Sequence, residues 1–170
     1  MINAVAKLIL AMNGNVKKSQ IASGFAWGLL LALIPVANFF WIVLFLISFF
    51  FRHNHGAKIF SMVIIKLISP LIVYWIDMLG WQILHIESLQ PLFTTLYNMP
   101  FVPYTKFNNT LVMGGLAGGL ALWIPVFLLM MTFIPFYRSH IAPKIRSSKI
   151  VKAVLKFPLF SLIEKAVAKN

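Results

Sequence analysis

Three long apolar runs, each closed by polar or basic residues, set the pattern of the chain. The first, IASGFAWGLLLALIPVANFFWIVLFLISFFFR over residues 21–52, carries no charge before its last residue and is interrupted near Pro35. A continuous helix over 21–51 would be about 46 Å long, well past a hydrocarbon core of about 30 Å. Pro35, followed by Val36, Ala37 and the polar Asn38, divides the run into two pieces of about 14 residues, roughly 21 Å apiece. Neither piece crosses a bilayer comfortably. The pattern predicts a re-entrant, broken helical hairpin over 21–51, which is permitted where the break is buried in protein or lines a wet cavity. One kinked and strongly tilted span is the competing reading. The second run, 59–84, contains Lys66, Pro70 and Asp77, and the third, 108–137, contains no charge. Each is long enough for a transmembrane helix.

The flanks complete the arrangement. Residues 1–13, MINAVAKLILAMN, place Ile2, Val5, Leu8, Ile9 and Met12 at helical spacing but are too few to span, which predicts an interfacial helix ending near Asn13-Gly14. Residues 147–169 predict a second amphipathic helix, kinked at Pro158, with Lys149, Lys152 and Lys156 on one side and Val151, Val154, Leu155, Leu162 and Ile163 on the other. Such a helix lies in the plane of an anionic leaflet, each Lys contributing roughly 1 kcal/mol; a tail docked onto a soluble partner is the alternative. The expected fold is thus an all-α integral membrane protein, with amphipathic helices at both ends. Its plan is an N-terminal interfacial helix and linker over 1–20, a membrane domain over 21–137 and a basic tail over 138–170. Within the membrane domain a loop over 85–106 joins the two spans.

Charge orients the plan. The connector 52–58 holds Arg52 and Lys58, the tail 138–170 holds eight Lys or Arg against Glu164 alone, and the loop 85–106 holds one basic residue. The positive-inside rule places both termini and the connector in the cytoplasm and the loop in the periplasm. Only a hairpin over 21–51 satisfies all of these together.

Composition narrows the class. The 170 residues are 61% hydrophobic and 11% charged, with a mean hydropathy of +0.89, against roughly 45–50% apolar and 25% charged in soluble domains. A water-soluble domain is excluded. The long continuous runs exclude an outer-membrane barrel, which needs short alternating strands. A net charge of +12 would suggest nucleic acid in a soluble protein. Here the basic residues sit at the ends of apolar runs without interleaved aromatics, which points to lipid headgroups instead. Absent cysteines remove disulfides and thiolate sites.

Candidate chemistry is sparse. Gly24 and Gly28 are four apart, and Gly114, Gly115, Gly118 and Gly119 form two overlapping pairs of that spacing, the pattern by which helices approach closely in lipid. The simplest expectation packs the 114–119 face against Gly24 and Gly28; accommodating a lipid or a partner's transmembrane helix is the functional alternative. Pro35, Asn38, Lys66, Pro70 and Asp77 are candidates for a broken-helix site or lipid path. Lys66 and Asp77, about 16 Å apart along a helix, cannot touch unless Pro70 breaks it. They either snorkel to opposite interfaces or place one charge at the break. His53 and His55 lack a nearby carboxylate or thiolate to complete a zinc site, so no metal or cofactor is expected. With three acids in the chain and no nucleophile elbow, HExxH or phosphate loop, no enzyme is expected either.

The segments GN…SQIASGFAWGLLLALIPVANF and PLFTTLYNMPFVPYTKFNNTLVMGGL resemble a bacterial inner-membrane family of unassigned activity, the domain-of-unknown-function family numbered two thousand and sixty-two, in its short stand-alone branch. The marks are Gln20-Ile21-Ala22 with Gly24, Phe25, Ala26 and Gly28, the Pro35 break, Leu96-Tyr97-Asn98, and Phe107-Asn108-Asn109-Thr110 before Gly114. Lys17-Lys18 stands where the family pattern usually has Ser-Pro. The resemblance implies a non-enzymatic inner-membrane subunit, partner of a large periplasm-spanning envelope protein in phospholipid transport between inner and outer membranes. A small stand-alone transporter or channel is the rival class, and an enzyme acting on lipid headgroups a more distant one.

Overall fold

A computed structural model of the chain describes residues 16–36 and 38–143. The expected terminal helices, with Lys149, Lys152 and Lys156, lie outside the described residues. Among the described residues every regular element is helical and none is a strand.

Helix α1, Lys18–Leu33, stops where Ile34 turns extended, at φ −83° and ψ 134°, because the ring of Pro35 disfavours helical geometry in the residue before it. Helix α2, Phe39–Ile47, starts from Asn38, whose side-chain oxygen accepts the Trp41 N–H at 2.7 Å and whose amide nitrogen donates to Pro35 O at 2.8 Å. The Trp41 indole donates to Leu31 O at 2.8 Å, satisfying a carbonyl that the end of α1 leaves without a helical partner. A 3₁₀ turn at Ser48–Phe50 follows. The chain has by then returned to its starting level, for the Asn54 N–H donates to Gln20 O at 2.8 Å.

Helix α3, His55–Leu84, is capped by Asn54 and runs through Pro70 without a break. Proline removes the donor that Lys66 O would have used, and the Ser69 hydroxyl takes its place at 2.9 Å. Between the long helices the expected loop folds into a 3₁₀ turn at Glu87–Leu89, helix α4 at Gln90–Tyr97 and a 3₁₀ turn at Val102–Thr105. Pro91 and Pro103 occupy first-turn positions, where a missing N–H breaks no helical bond. Helix α5, Thr110–Phe136, begins with Asn109 Oδ1 accepting from Leu111 N and Val112 N at 3.0 and 3.2 Å. The helical path continues through a π turn at Tyr137–Ile141, beyond the expected limit at 137. The basic tail therefore starts inside a helix, not at its end. Hydrophobicity fades there gradually, while the backbone ladder continues.

The chain divides into two compact units between Thr132 and Phe133. In the first unit, α1 and α3 run parallel: Gly24 lies against Asn54, Ala57 and Lys58, and Gly28 against Lys58 and Ser61. Helix α5 runs antiparallel to both, with Gly114 against Ile76 and Gly80, and Gly115 and Gly119 against Leu33 and Leu30. Helix α1 is apolar on all sides and accordingly buried; Trp27, Leu30 and Ile34 share a core with Val112, edged by Trp41, Leu116 and Trp123. In the second unit, Ser139 Oγ donates to Pro135 O at 3.0 Å, and the Phe136 and His140 rings stack.

The two long helices, α3 and α5 with its continuation to Ile141, are apolar and long enough to cross a membrane. A core helix of a soluble protein would pass the same test, but it would be covered. Here only 6% and 11% of their most apolar stretches are buried, leaving Leu67, Leu71, Trp75, Leu128 and Leu129 bare. A hydrocarbon solvent accounts for that surface.

Candidate functional site at the helix break

The break between α1 and α2 is where backbone polarity accumulates. The last turn of α1 leaves carbonyls without intrahelical partners, and Lys66 reaches them from α3, its Nζ donating to Ala32 O at 3.1 Å and Ile34 O at 3.3 Å. A cation at a helix C-terminus also opposes the negative end of the helix dipole. Lys66, Pro35 and Asn38 thus form one constellation. Pro70 lies one turn further along an uninterrupted α3. Asp77 is elsewhere: its carboxylate accepts the hydroxyl of Thr110 at the start of α5. The structure therefore splits the five residues that sequence grouped as one path.

The glycines divide in a similar way. Gly24 and Gly28 face the first turns of α3, not the 114–119 face. A Cβ on Gly24 would stand 2.5 Å from Asn54 O, and one on Gly28 would meet Lys58 O and Ser61. Ser61 Oγ donates to Phe25 O across this contact at 3.0 Å. Gly114 instead meets Gly80 and the Ile76 carbonyl, Gly115 stands against Leu33 O, and Gly119 against the Leu30 side chain. Gly118 has only Leu79 Cδ2, at 3.5 Å. Sequence reasoning missed Gly80 and the pair Ala57 and Ser61, although Ala57-x-x-x-Ser61 is itself a small-residue spacing of the kind that lets helices approach.

A second polar cluster, also missed, closes the base of α1 and α2. Lys58 is 1% exposed; its Nζ donates to Ser48 Oγ at 2.8 Å and lies over the rings of Phe49 and Phe45, 4.1 and 4.8 Å from their centroids. The rings' negative faces replace the water that the ammonium has lost. The contact pins the end of α2 to the start of α3. Beside it His53 is buried against Trp27. Burial above all, then the positive charges of Lys58 and His55, lowers the His53 pKa from 6.5 to about 4, so its ring is neutral at physiological pH. Lys58 was readable in sequence only as part of a basic connector; the hydroxyl of Ser48 and the rings of Phe45 and Phe49 that enclose it were not.

These features define a membrane-associated protein, helical throughout its described elements, with a capped helix break set against two bare apolar helices. The chain belongs to the family described as "Uncharacterized protein conserved in bacteria (DUF2062)", which it matches over residues 6–142. A protein of Treponema pallidum (strain Nichols), itself described as an uncharacterized protein, is 33% identical over 159 residues, covering 94% of this chain and 98% of the relative. No solved structure matches the chain.

Proposed function

We propose that this chain is a non-enzymatic, multi-pass subunit of the bacterial inner membrane. It acts beside a larger periplasm-spanning envelope protein in moving phospholipid between the inner and outer membranes. In this reading α1 and α2 form a re-entrant hairpin open to the cytoplasm, α3 and α5 cross the bilayer, 85–106 faces the periplasm, and both termini are cytoplasmic. The observation that carries it is the return of the chain: Asn54 bonds Gln20 while Lys66, eleven residues into the 30-residue α3, reaches the break. A turn at that level would stop partway through a bilayer that α3 traverses, leaving a polar, lysine-capped backbone where lipid tails would otherwise lie. Bare faces on α2 at Phe39, Ile42 and Leu46, and on α5 at Leu120, Ile124 and Leu128, offer surface to lipid and to a partner's transmembrane helix. The Gly faces at Gly24, Gly28 and 114–119 hold the bundle close enough to keep the break in place.

A small stand-alone transporter or channel is the second reading, favoured by a cation resting on helix-end carbonyls, a device that transporters use at broken helices. Two measurements separate the proposals. Isolation in mild detergent recovers a large envelope protein with this chain if the first holds; a self-contained oligomer alone refutes it. Flux through liposomes holding this chain by itself, abolished by Lys66→Met, would establish the second. Thiols introduced at 54 and 57 stay unmodified by a periplasmic reagent in intact cells, and ready modification overturns the topology.

A further inference from the structure

Two cavities adjoin at the end of α3 away from the basic connector, where Leu84 closes α3 and Thr110 opens α5. The larger, about 430 Å³, is lined by His85, Gln90, Thr94, Asn98 and Thr110 among others, with Tyr97 beside them. The smaller, about 250 Å³, is apolar and lies against Phe40, Leu96, Val112, Met113 and Leu116. Phe93 and Phe107 border both, with their rings 6.1 Å apart. Left-handed Phe101 and Lys106 bracket the turn that carries Val102 and Thr105 to the apolar cavity. Together the volumes fall within the roughly 300–1,000 Å³ of small-molecule sites.

The hydrogen bonds already made in the polar cavity say what it lacks. Gln90 Nε2 donates to Leu84 O at 2.5 Å, Asn98 Nδ2 to Thr94 O at 2.9 Å and Thr94 Oγ1 to Gln90 O at 2.9 Å. Thr110 Oγ1 donates to the Asp77 carboxylate. His85 Nδ1 lies 2.8 Å from Trp81 O; a carbonyl only accepts, so that nitrogen carries a proton and is committed to the backbone. One amide N–H each of Gln90 and Asn98 and both threonine hydroxyls are thus committed to carbonyls or to Asp77, while a second N–H on each of those amides and the amide of Asn108, which also lines the cavity, stay open. Acceptor capacity remains as well, in the Gln90 and Asn98 amide oxygens and the threonine lone pairs. The lining among the described residues contains no Lys or Arg, so a free anion would gain no countercharge there, whereas the phosphate of a zwitterion, already balanced by its own ammonium, needs only the open amide N–H donors. A primary ammonium has three N–H donors and a charge that suits both these acceptors and the faces of Phe93 and Tyr97. Asp77 stands one hydrogen bond behind.

We propose that the two cavities form one site for an aminophospholipid, with its primary ammonium headgroup in the polar cavity and part of an acyl chain in the apolar one. The proposal deepens the lipid reading above by naming the lipid class. It rests on that reading only for contact with lipid, and on neither the hairpin topology nor a partner.

Native mass spectrometry of the purified full-length chain, offered phosphatidylethanolamine, phosphatidylcholine and phosphatidylglycerol with identical acyl chains, tests it. Phosphatidylethanolamine is retained about tenfold over phosphatidylcholine, whose methylated ammonium has no N–H, the factor expected from losing charge-assisted hydrogen bonds. Equal retention of the three, or preference for the anionic glycerol lipid, overturns the proposal. Thr94→Val with Asn98→Leu removes the preference without lowering phosphatidylcholine retention, whereas Leu116→Trp, which fills the apolar cavity, lowers retention of all three. Glycerophosphoethanolamine, which has no acyl chain, fails to displace bound lipid even in large excess; displacement would sink the two-part site. Because the wild-type comparison needs neither cells nor a partner, its failure leaves the labelling and co-isolation results standing, and theirs leaves it standing.

Discussion

At single residues, close backbone approach decides more than polarity does. A methyl group on Gly114 would collide with the Ile76 carbonyl and the Gly80 nitrogen of α3, helix backbone that cannot move aside alone. On Gly118 the same methyl meets only the tip of Leu79 at 3.5 Å. Gly114→Ala is therefore expected to destabilise the protein by about 1–3 kcal/mol, the usual range for overpacking. Gly118→Ala is neutral or stabilising by about 0.5–1 kcal/mol, since alanine is the better helix former. Thermal unfolding of both variants in the same detergent checks the pair, and equal behaviour would contradict the crossing of α3 and α5. The spacing of these glycines was legible in the sequence because helical periodicity alone puts them on one face. Their partners were not. Gly24 and Gly28 pair with Ala57 and Ser61, and Gly114 with Gly80, because the chain returns to its starting level before α3 begins. Spacing along one helix carries no information about that return.

At the scale of elements, the ends were written more clearly than the interiors. Pro35 announces the end of α1, and Asn38 and Asn109 are side chains that cap a following helix. Pro70 carries the same letter as Pro35 and breaks nothing, because Ser69 satisfies the carbonyl it orphans and lipid-facing helices tolerate proline on those terms. The segment 85–106, expected as a loop, carries helical turns instead, and Pro91 and Pro103 sit in their first positions. The Asn38 cap gives an element-level prediction. Asn38→Ala loses both the bond from Trp41 N and the bond to Pro35 O, and is expected to lower stability by about 1–2 kcal/mol. Asn38→Asp keeps the acceptor and loses only the donor, so its loss is smaller. Thermal midpoints of the two variants in one detergent rank them, and Asp falling below Ala would show that the donor to Pro35, not the cap, holds the turn.

At the scale of the molecule, length is what turns a folded-back helix pair into a statement about depth. Helix α1 has 16 residues and so reaches about 24 Å, short of a hydrocarbon core of about 30 Å, whereas the 30 residues of α3 reach about 45 Å. Since the two run parallel from a common level, the turn after α1 must stop beside the middle of α3, where Lys66 meets it. With α3 crossing the bilayer as proposed, a hairpin lying flat on the membrane would break that shared axis, because a crossing helix tilts steeply away from the surface. Val36, exposed at the turn, is the position that distinguishes the two. A nitroxide on Val36→Cys in lipid nanodiscs should be relaxed strongly by oxygen and weakly by a water-soluble nickel chelate. Labels at 19 and 54 should show the reverse ratio, both at one surface, and a label at 88 should show it at the other. If the label at 36 instead reports the headgroup region, α1 and α2 do not enter the bilayer. The lysine-capped break would then be a surface feature, and the path proposed for lipid would lose its origin.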